Sequence, residues 1–488
     1  MKRYIVVEIG ILIFSAHLWS QAGNVTQTAG RVPAFKTVEY LLLGDATRGA
    51  GEPMIAVDPT NPKNIVATAM GTLGELPPPP PGGRPGTQSI PRSSIPWLAV
   101  THDGGTTWDV GELPIMKGTT FTRCPDAMAD VTKEGVFLLG CEPRETTGEQ
   151  YGMSALVAST DKGITWGPLV EIISSFGAAR FAPGLKPEFK GASPWDRPYT
   201  FIDDSTGVIY AMARGGSTAI DAPPGQTRTQ SYITASTDGG RSFGTIYSWE
   251  SKDYPQFGRG VENIGLAAAH GVAAITYISG KAPNATCPCA VFGLTRDQGK
   301  TFSYHVLNNI TVQADAKTAG PGMLRPNSPE TGGLTSLSAD QTKAGRFAIL
   351  KYENVSYSVA ISEDYGQTWG PFVTAGTVAG ATSFTKPAFE FSRDGVIGLM
   401  WRADYADKSY DIWSSISRDG GKIFSNSLRV SHAKSPASLP VKGAGNDDHA
   451  DLCMDKENIH MVWGDLRTGF MGTWYGRVAF SAFEFPLR

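Results

Sequence analysis

One eight-residue phrase occurs six times in the chain and restricts its fold more than any other feature. The phrase reads Ser/Thr-x-Asp-x-Gly-x-x-Trp/Phe. Its copies are THDGGTTW (101–108), STDKGITW (159–166), STDGGRSF (236–243), TRDQGKTF (295–302), SEDYGQTW (362–369) and SRDGGKIF (417–424). A phrase that recurs at this period indicates an array of similar structural units.

The residues of the phrase are suited to a tight connection between two strands. Short alternating strands precede it, as in PWLAVTHD and DIWSSIS. An aspartate in a turn accepts hydrogen bonds from the backbone N–H groups that follow it, and glycine supplies positive φ. The aspartates of the phrase are therefore predicted to be structural rather than catalytic; they are Asp103, Asp161, Asp238, Asp297, Asp364 and Asp419.

The composition agrees with a large, turn-rich β protein. The 488 residues include 57 glycines and 33 prolines, while charged residues make up only 18%. The net charge of −3 is too small to indicate binding to nucleic acid or to a membrane surface. Partners of these two kinds are therefore not expected.

The repeated phrase resembles the Asp-box, or bacterial neuraminidase repeat, of the sialidase superfamily. The resemblance covers nearly all of the chain after the N-terminal segment. It implies an all-β fold, a β-propeller of four-stranded antiparallel blades in which each Asp-box joins the third and fourth strands on the face opposite the active site. It also implies an exo-α-sialidase-like glycosidase whose partner is an acidic oligo- or polysaccharide, with no cofactor.

The spacing of the repeats predicts seven blades, with six as the alternative. The Asp-boxes are about 63 residues apart, and the chain from Asp45 to its end has room for about seven such units. A hydrophobic hairpin precedes each box, and a seventh hairpin, DHADLCMDKENIHMVW, has no box after it. The isolated strand KTVEYLLL (36–43) is predicted to supply the fourth strand of the last blade, because this closes the ring without an exposed edge.

The N-terminus has the features of an export signal. A basic start, MKR, is followed by the apolar run YIVVEIGILIF and by SQA, a small-residue cleavage site that ends at Ala22. The predicted organisation is a signal peptide (1–22), a flexible segment (23–34) and one propeller (35–488), in a secreted or periplasmic protein with no membrane association after cleavage. An uncleaved anchor or a misread start is the alternative.

The five cysteines indicate one disulfide bond. Cys124 and Cys141 flank a predicted hairpin and would face each other at its open end, which is a suitable geometry for a cross-strand disulfide. Cys287 and Cys289 are too close for an ordinary bridge between strands, and Cys453 is left over. The spacing fits no zinc pattern, and no metal site is expected.

The long connections all fall on one predicted face, the usual place for binding and catalysis on a rigid scaffold. Charged residues gather there at the ends of the first two strands of each blade. Carboxylates, His and Tyr are candidates for acid, base or nucleophile: Glu52, Asp126, Glu262, Asp448, His449 and Tyr199. Arginines are candidates for binding an anionic substrate: Arg123, Arg144, Arg197, Arg214, Arg259, Arg402 and Arg467. The alternative is that many of them form ion pairs between blades, above all Arg402 with Asp404 and Asp465 with Arg467.

The sequence departs from the sialidase signature in places that bear on the reaction. Glu52, in GEPMIAV, stands where the family has its first carboxylate-binding arginine. Tyr199, Tyr357 and Tyr475 are candidates for the family's tyrosine nucleophile, and nothing in the sequence decides between them. His449 is a candidate general base, or a residue that stabilises the closure of the ring. Three functions stay open: a glycoside hydrolase, a polysaccharide lyase that uses a His and a Tyr, and a non-catalytic binding propeller.

Overall fold

The structure, a computed structural model, describes residues 2–5, 36–73, 95–116, 121, 124–143, 152–174, 180–185, 196–217, 228–256, 265–308, 310, 312–313, 325–326, 337–352, 355–437 and 449–486. It confirms the all-β prediction: seven four-stranded antiparallel sheets form a seven-bladed β-propeller. No helix in these ranges is long and apolar enough to cross a membrane.

The blades follow one another along the chain, and in blades 1 to 6 the first strand lies nearest the axis. Blade 1 contains Arg48–Val57, Ile65–Leu73, Trp97–Thr101 and Thr107–Glu112. Blade 2 contains Met128–Val131, Phe137–Cys141, Met153–Ser159 and Val170–Ser174. Blade 3 contains Asp196–Asp203, Val208–Ser217, Arg228–Ser236 and Tyr247–Ser248. Blade 4 contains Gly265–Ala269, Val272–Ser279, Cys289–Thr295 and Ser303–Val306.

The remaining blades repeat this arrangement. Blade 5 contains Leu337–Ala339, Phe347–Tyr352, Ser356–Ser362 and Val373–Thr377. Blade 6 contains Ala381–Phe391, Ile397–Tyr405, Ser409–Ser417 and Leu428–Arg429, with Ser435–Pro436 beside its third strand. Blade 7 contains Ala450–Met454, Asn458–Asp465 and Gly472–Ala479.

The fourth strand of blade 7 comes from the other end of the chain. Thr37–Leu43 pairs antiparallel with Gly472–Ala479, so that Tyr40 lies opposite Tyr475. This confirms the predicted closure of the ring by an N-terminal strand. The outer edge of Gly472–Ala479 is thereby paired, and blade 7 has four strands like the other blades.

A few short elements lie outside the four-stranded pattern. Lys2–Ile5 pairs with the outer strand of blade 1. Val312–Gln313 pairs with Arg325–Pro326. Two 3-10 turns occupy Pro114–Met116 and Phe480–Ala482.

The core is divided among the contacts between blades. In the described part of the chain, seven clusters of buried apolar side chains each combine residues of two neighbouring blades. One of them joins blade 7 to blade 1 and includes Leu43, Ala67 and Val462. Burial of apolar surface therefore holds every blade to both of its neighbours, and the ring is continuous.

Each repeated phrase lies between the third and fourth strands of its blade. In blade 5 the Asp364 carboxylate accepts hydrogen bonds from the Thr368 amide (2.9 Å), the Thr368 hydroxyl (2.6 Å) and the Ser362 hydroxyl (2.9 Å). Gly366 has φ +78° and packs so closely on Phe292 that a Cβ atom there would lie 2.3 Å from the ring. The aspartate thus organises the turn, and the glycine allows Phe292 of the neighbouring blade 4 to pack against it.

Candidate functional site

A cavity of about 260 Å³ lies on the propeller axis. The innermost strands of all seven blades contribute to its lining, from Met54 in blade 1 to Met454 in blade 7. Its two ends differ, because one is formed by the short hairpin turns and the other by the beginnings of the innermost strands.

The end formed by the hairpin turns is crossed by polar side chains, which form the floor of the cavity. Arg393 of blade 6 donates from Nε to the Asp204 carboxylate of blade 3 (2.6 Å) and from Nη2 to the Val131 carbonyl of blade 2 (2.7 Å). Gln341 of blade 5 donates from Nε2 to the Ala268 carbonyl of blade 4 (2.7 Å). These bonds join five blades across the axis, so a ligand would enter from the opposite end.

The opposite end carries an equivalent residue in several of the described blades. This position is six residues before the polar residue that directly follows the innermost strand. In four blades it is described and polar: Glu52 before Asp58, Asp126 before Thr132, Lys386 before Ser392, and His449 before Asp455. In ring order from blade 6 through blade 7 to blades 1 and 2, these side chains are a cation, an imidazole and two carboxylates. We call this set the mouth residues.

The backbone at the mouth is distorted in a repeated way. Glu52, Asp126 and Lys386 all have positive φ, at 51°, 50° and 50°. The strand register also shifts around Glu52-Pro53, Arg197-Pro198 and Lys386-Pro387, in blades 1, 3 and 6. Bulges of this kind change the direction of a side chain, and left-handed backbone at a residue other than glycine costs free energy, so both are common at functional sites.

His449, one of the mouth residues, meets Tyr199 across the cavity. The Tyr199 hydroxyl oxygen and His449 Nε2 are 2.8 Å apart, and the two rings are in an edge-on arrangement. The two residues belong to blades 3 and 7, and their exposed fractions are only 3% and 7%. A phenol and an imidazole in hydrogen-bond contact can exchange a proton, which is the elementary step of acid–base catalysis.

Three carboxyl groups lie deeper in the cavity lining, on the innermost strands of blades 2, 6 and 7. Burial raises the pKa of Asp130 to about 6 and that of Asp451 to about 7. Burial, and then repulsion from Asp451, raise the pKa of Glu390 well above its usual value. Asp130 accepts a hydrogen bond from the Thr200 hydroxyl (2.9 Å), and Asp451 accepts one from the Ile55 amide (2.9 Å). We call Asp130, Glu390 and Asp451 the axial carboxyls.

The axial carboxyls are the part of the site that sequence reasoning missed. The available signal was a single acidic residue within an otherwise apolar innermost strand, as in MADV, KPAFEF and ADLCM. Such a residue is expensive to bury without partners, and it therefore deserved a functional or structural explanation.

Two of the predicted substrate-binding arginines form ion pairs instead of lining the axial cavity. Arg402 binds Asp404 (2.6 Å) and lies 3.9 Å from the centre of the Tyr410 ring. Arg467 binds Asp465 (2.6 Å), contacts Glu39 (2.8 Å) and lies over Trp474. The sequence-based alternative named these two ion pairs, and both are present. It placed them between blades, which is wrong, because each pair lies within one blade.

The other candidates are described unevenly. Glu52 is buried, with an exposed fraction of 2%, and Asp126 is partly exposed. For Arg197 and Arg214 the structure describes the strand backbone but not the side chain. Candidates outside the described residues are Arg123, Arg144, Arg259, Glu262 and Asp448.

The cysteines form two disulfide bonds. Cys124 and Cys141 are joined, with their Cα atoms 5.4 Å apart, and so are Cys287 and Cys289. Cys453 is a buried free thiol. Among the described residues, no group of three or more His, Cys, Asp or Glu side chains is arranged to hold a metal ion.

Comparison with known proteins finds similarity in structure only. No protein-family model and no curated protein matches the sequence. A protein of unknown function from Dyadobacter fermentans is 13% identical, with a TM-score of 0.45 over 91% of this chain and 98% of the other. Hadza microbial sialidase Hz136 is 16% identical, with a TM-score of 0.42 over 86% of this chain and 74% of the other. Trypanosoma rangeli sialidase in complex with sialic acid is 12% identical, with a TM-score of 0.42; the alignment covers 91% of this chain and 59% of that one.

Proposed function

We propose that this protein is an exported carbohydrate-active enzyme, a sialidase-like glycoside hydrolase that cleaves acidic glycans at the mouth of the axial cavity. The observation that carries the proposal is the 2.8 Å contact between the Tyr199 hydroxyl and His449 Nε2. Export, which rests on the N-terminal segment, and the acidic glycan partner are parts of the same proposal.

In hydrolysis, His449 accepts the Tyr199 proton, and the phenolate attacks the anomeric carbon as the bond to the leaving oxygen breaks. A water molecule, which gives a proton to the carboxylate of the general acid, then attacks the same carbon, and the released Tyr199 takes its proton back from His449. A tyrosine hydroxyl is a weak nucleophile until an adjacent base takes its proton, and an imidazole at hydrogen-bond distance is such a base. Protonation of the leaving oxygen then falls to a carboxyl group of the mouth, and Glu52 is the buried one. Burial keeps a carboxyl group protonated at higher pH, as a general acid requires.

The charge order at the mouth supports an acidic substrate. Lys386 lines the cavity in blade 6, next to the blade that carries His449, while Glu52 and Asp126 lie on the other side of His449. An anionic group on the substrate would be attracted to Lys386 and repelled by the carboxylate of Asp126, while Glu52 carries the proton that the leaving oxygen receives. This asymmetry orients the substrate and places the bond to be broken beside His449.

The same three groups also favour a second candidate function, β-elimination at a uronic acid residue. In that reaction Lys386 neutralises the substrate carboxylate, His449 removes the adjacent proton, and Tyr199 protonates the leaving oxygen. This needs no nucleophile and no second carboxylate. A lyase product contains a carbon–carbon double bond and lacks the water that a hydrolase adds.

The test is to incubate the mature protein with acidic glycans and matched neutral glycans and to read the products by mass spectrometry. Hydrolysis adds one water per bond cleaved, whereas elimination gives an unsaturated product of lower mass. We expect Tyr199→Phe and His449→Asn each to lower turnover by about 10²- to 10⁴-fold. Tyr210→Phe is the matched control, because Tyr210 is a buried tyrosine of the same blade that stacks on Phe201.

The outcomes separate the three functions. Turnover that survives in both Tyr199→Phe and His449→Asn would overturn the assigned chemistry. Binding of acidic glycans with no turnover in the parent protein would make the mouth a recognition surface and overturn the enzyme proposal altogether.

A further inference from the structure

We propose that the Cys287–Cys289 disulfide is a redox-labile site, which an external dithiol opens while the rest of the fold, including the Cys124–Cys141 disulfide, stays intact. The inference does not rest on the proposed glycan chemistry. It assigns to blade 4 a thiol–disulfide exchange site of the kind that responds to small thiols or dithiol proteins.

The first observation is the very short loop that this bond closes. Cys287 and Cys289 are separated by two positions, whereas Cys124 and Cys141 are separated by 17. A disulfide stabilises a fold mainly by restricting the unfolded chain, and this effect grows with the length of the loop. By chain entropy alone, the shorter loop gives roughly half the stabilisation of the longer one.

The second observation is access. Cys124 and Cys141 both have an exposed fraction of 0% and belong to the apolar cluster between blades 1 and 2. Cys287 is partly exposed, in the connection between the second and third strands of blade 4. A thiolate in solution can therefore approach the Cys287 sulfur, and exposed disulfides are the labile ones.

The third observation is that the bond holds a segment that packs in the same apolar cluster as Tyr199. The connection bends back where the Ser279 hydroxyl donates to the Lys281 carbonyl (2.6 Å) and the Gly280 amide donates to the Pro255 carbonyl (3.0 Å). Cys287 and Cys289 pack against the apolar cluster between blades 3 and 4 that also contains Tyr199. Opening the disulfide would loosen this segment and, through it, the packing around Tyr199.

The exchange is balanced in atoms and electrons. A thiolate of the dithiol attacks the Cys287 sulfur, the Cys287–Cys289 bond breaks, and Cys289 leaves as a thiolate that takes a proton from water. The second thiol of the reductant then attacks the mixed disulfide and releases Cys287 as a thiolate, which is protonated in turn. Two electrons pass from the dithiol, which becomes a cyclic disulfide, to the protein.

The experiment is a titration of the folded full chain with dithiothreitol buffers of increasing reduced fraction. Free thiols are trapped with N-ethylmaleimide, the protein is unfolded and reduced, and the remaining cysteines receive a second mass tag. Peptide mass spectrometry then reports each cysteine separately. The free thiol Cys453, which is 8% exposed and lines the axial cavity, is an internal reporter: its labelling is compared with that of the untreated protein and should rise when the propeller opens.

We expect Cys287 and Cys289 to be trapped at a ratio of reduced to oxidised reagent at least about tenfold lower than Cys124 and Cys141 require. The labelling of Cys453 should not rise above that of the untreated protein at that ratio. If both disulfides open together with increased labelling of Cys453, or if Cys124–Cys141 opens first, the proposal is wrong.

Two variants give a second reading that does not depend on reduction. Cys289→Ser should lower the melting temperature only slightly and leave the propeller folded, because the bond stabilises the global fold little. Cys141→Ser should lower it about twice as much, in proportion to the chain-entropy effect of the two loops. Equal losses in the two variants would mean that the Cys287–Cys289 bond is a structural disulfide, contrary to the proposal.

Discussion

Arg393 illustrates how much a single side chain contributes when it crosses the propeller axis. It pairs with Asp204 of blade 3 and also bonds the Val131 carbonyl of blade 2. The Asp204 side chain is 13% exposed, so removal of the arginine leaves a largely buried carboxylate without its partner. Such a loss is strongly destabilising. We predict that Arg393→Met lowers the free energy of unfolding by about 2 kcal/mol, a value reduced from that of a fully buried pair because the arginine is partly solvated.

Urea unfolding, followed by tryptophan fluorescence, measures this effect. The matched control is Lys434→Met, since Lys434 pairs with Asp407 where both side chains are well exposed. We expect less than about 0.5 kcal/mol for that control. Similar urea midpoints for the two variants would show that the floor of the cavity does not hold the blades together.

The limits of sequence reasoning at this scale lie in contacts across the ring. Tyr199 and His449 were separate candidates in the sequence, and no spacing rule relates residues 250 positions apart. The axial carboxyls were missed for the same reason: the burial of Asp130 depends on six other blades. In contrast, His449 was predicted at the start of its strand and directly precedes Ala450–Met454, whereas Glu52, also predicted to open a strand, lies in the middle of Arg48–Val57.

The Asp-box turns allow a graded prediction among similar elements. In five of them a Ser or Thr hydroxyl four residues after the aspartate donates to its second carboxylate oxygen, as Thr368 does to Asp364. In blade 6 this position is Ile423, which has no hydroxyl to donate, and Asp419 accepts hydrogen bonds from the Ser417 hydroxyl and from the Lys422 and Ile423 amides. We predict that Asp364→Ala costs about 2 kcal/mol and Asp419→Ala about 1 kcal/mol, a difference of one hydrogen bond.

The reverse substitution, Ile423→Thr, tests the same reasoning, because it should increase the stability of the protein. Ile423→Thr restores the missing hydroxyl and should raise the melting temperature in the Asp419 background but not in an Ile423→Thr/Asp419→Ala double variant. The Ser242 hydroxyl, which already bonds Asp238, lowers the pKa of that carboxyl to about 2, as expected for a bond to the ionised form. If Asp364→Ala and Asp419→Ala lower the melting temperature equally, the hydrogen bond from the Thr368 hydroxyl to Asp364 contributes nothing to stability.

At the scale of strands and turns, the sequence was most informative where the pattern repeats. Each of the six phrases lies between a third and a fourth strand, because Asp, Gly and a closing aromatic form a local unit that needs no distant partner. The bulges at Glu52-Pro53 and Lys386-Pro387 were not predicted. Their positive φ values arise from the surrounding sheet and not from the residue types, since neither Glu nor Lys favours that backbone.

The number of blades is the property of the whole molecule that the sequence predicted best. Counting hairpins as well as Asp-boxes gave seven, and the unpaired strand at 36–43 gave the closure that the structure has in Thr37–Leu43. The connections on the mouth face could not be predicted in the same way. Their length varies from blade to blade, and no repeat constrains them.

Closure of the ring around partly buried carboxyl groups, the three that line the axial cavity, should give the whole molecule an unusual dependence on pH. A carboxyl whose pKa is raised by folding binds its proton more tightly in the folded state than in the unfolded state. Its contribution is therefore favourable in acid and is lost as the pH rises from the unfolded value, near 4, to the folded value. For Asp451 that window runs from about 4 to about 7, and for Asp130 from about 4 to about 6.

We therefore predict that the melting temperature falls as the pH rises from 5 to 8, and that Asp451→Asn flattens this slope. Asparagine keeps an acceptor for the Ile55 amide but has no proton to lose, so the variant should match the parent near pH 5 and exceed it at pH 8. Asp407→Asn is the control: Asp407 is exposed and its pKa is lowered by the Ser409 hydroxyl, so its effect belongs below pH 4. The measurement is the melting temperature of the three proteins from pH 5 to pH 8. Equal slopes of melting temperature against pH for the parent and Asp451→Asn would show that Asp451 is already ionised throughout this range. The remaining slope in Asp451→Asn should reflect Asp130 and Glu390, and Glu390, which loses the repulsion from Asp451, should ionise at lower pH than in the parent protein.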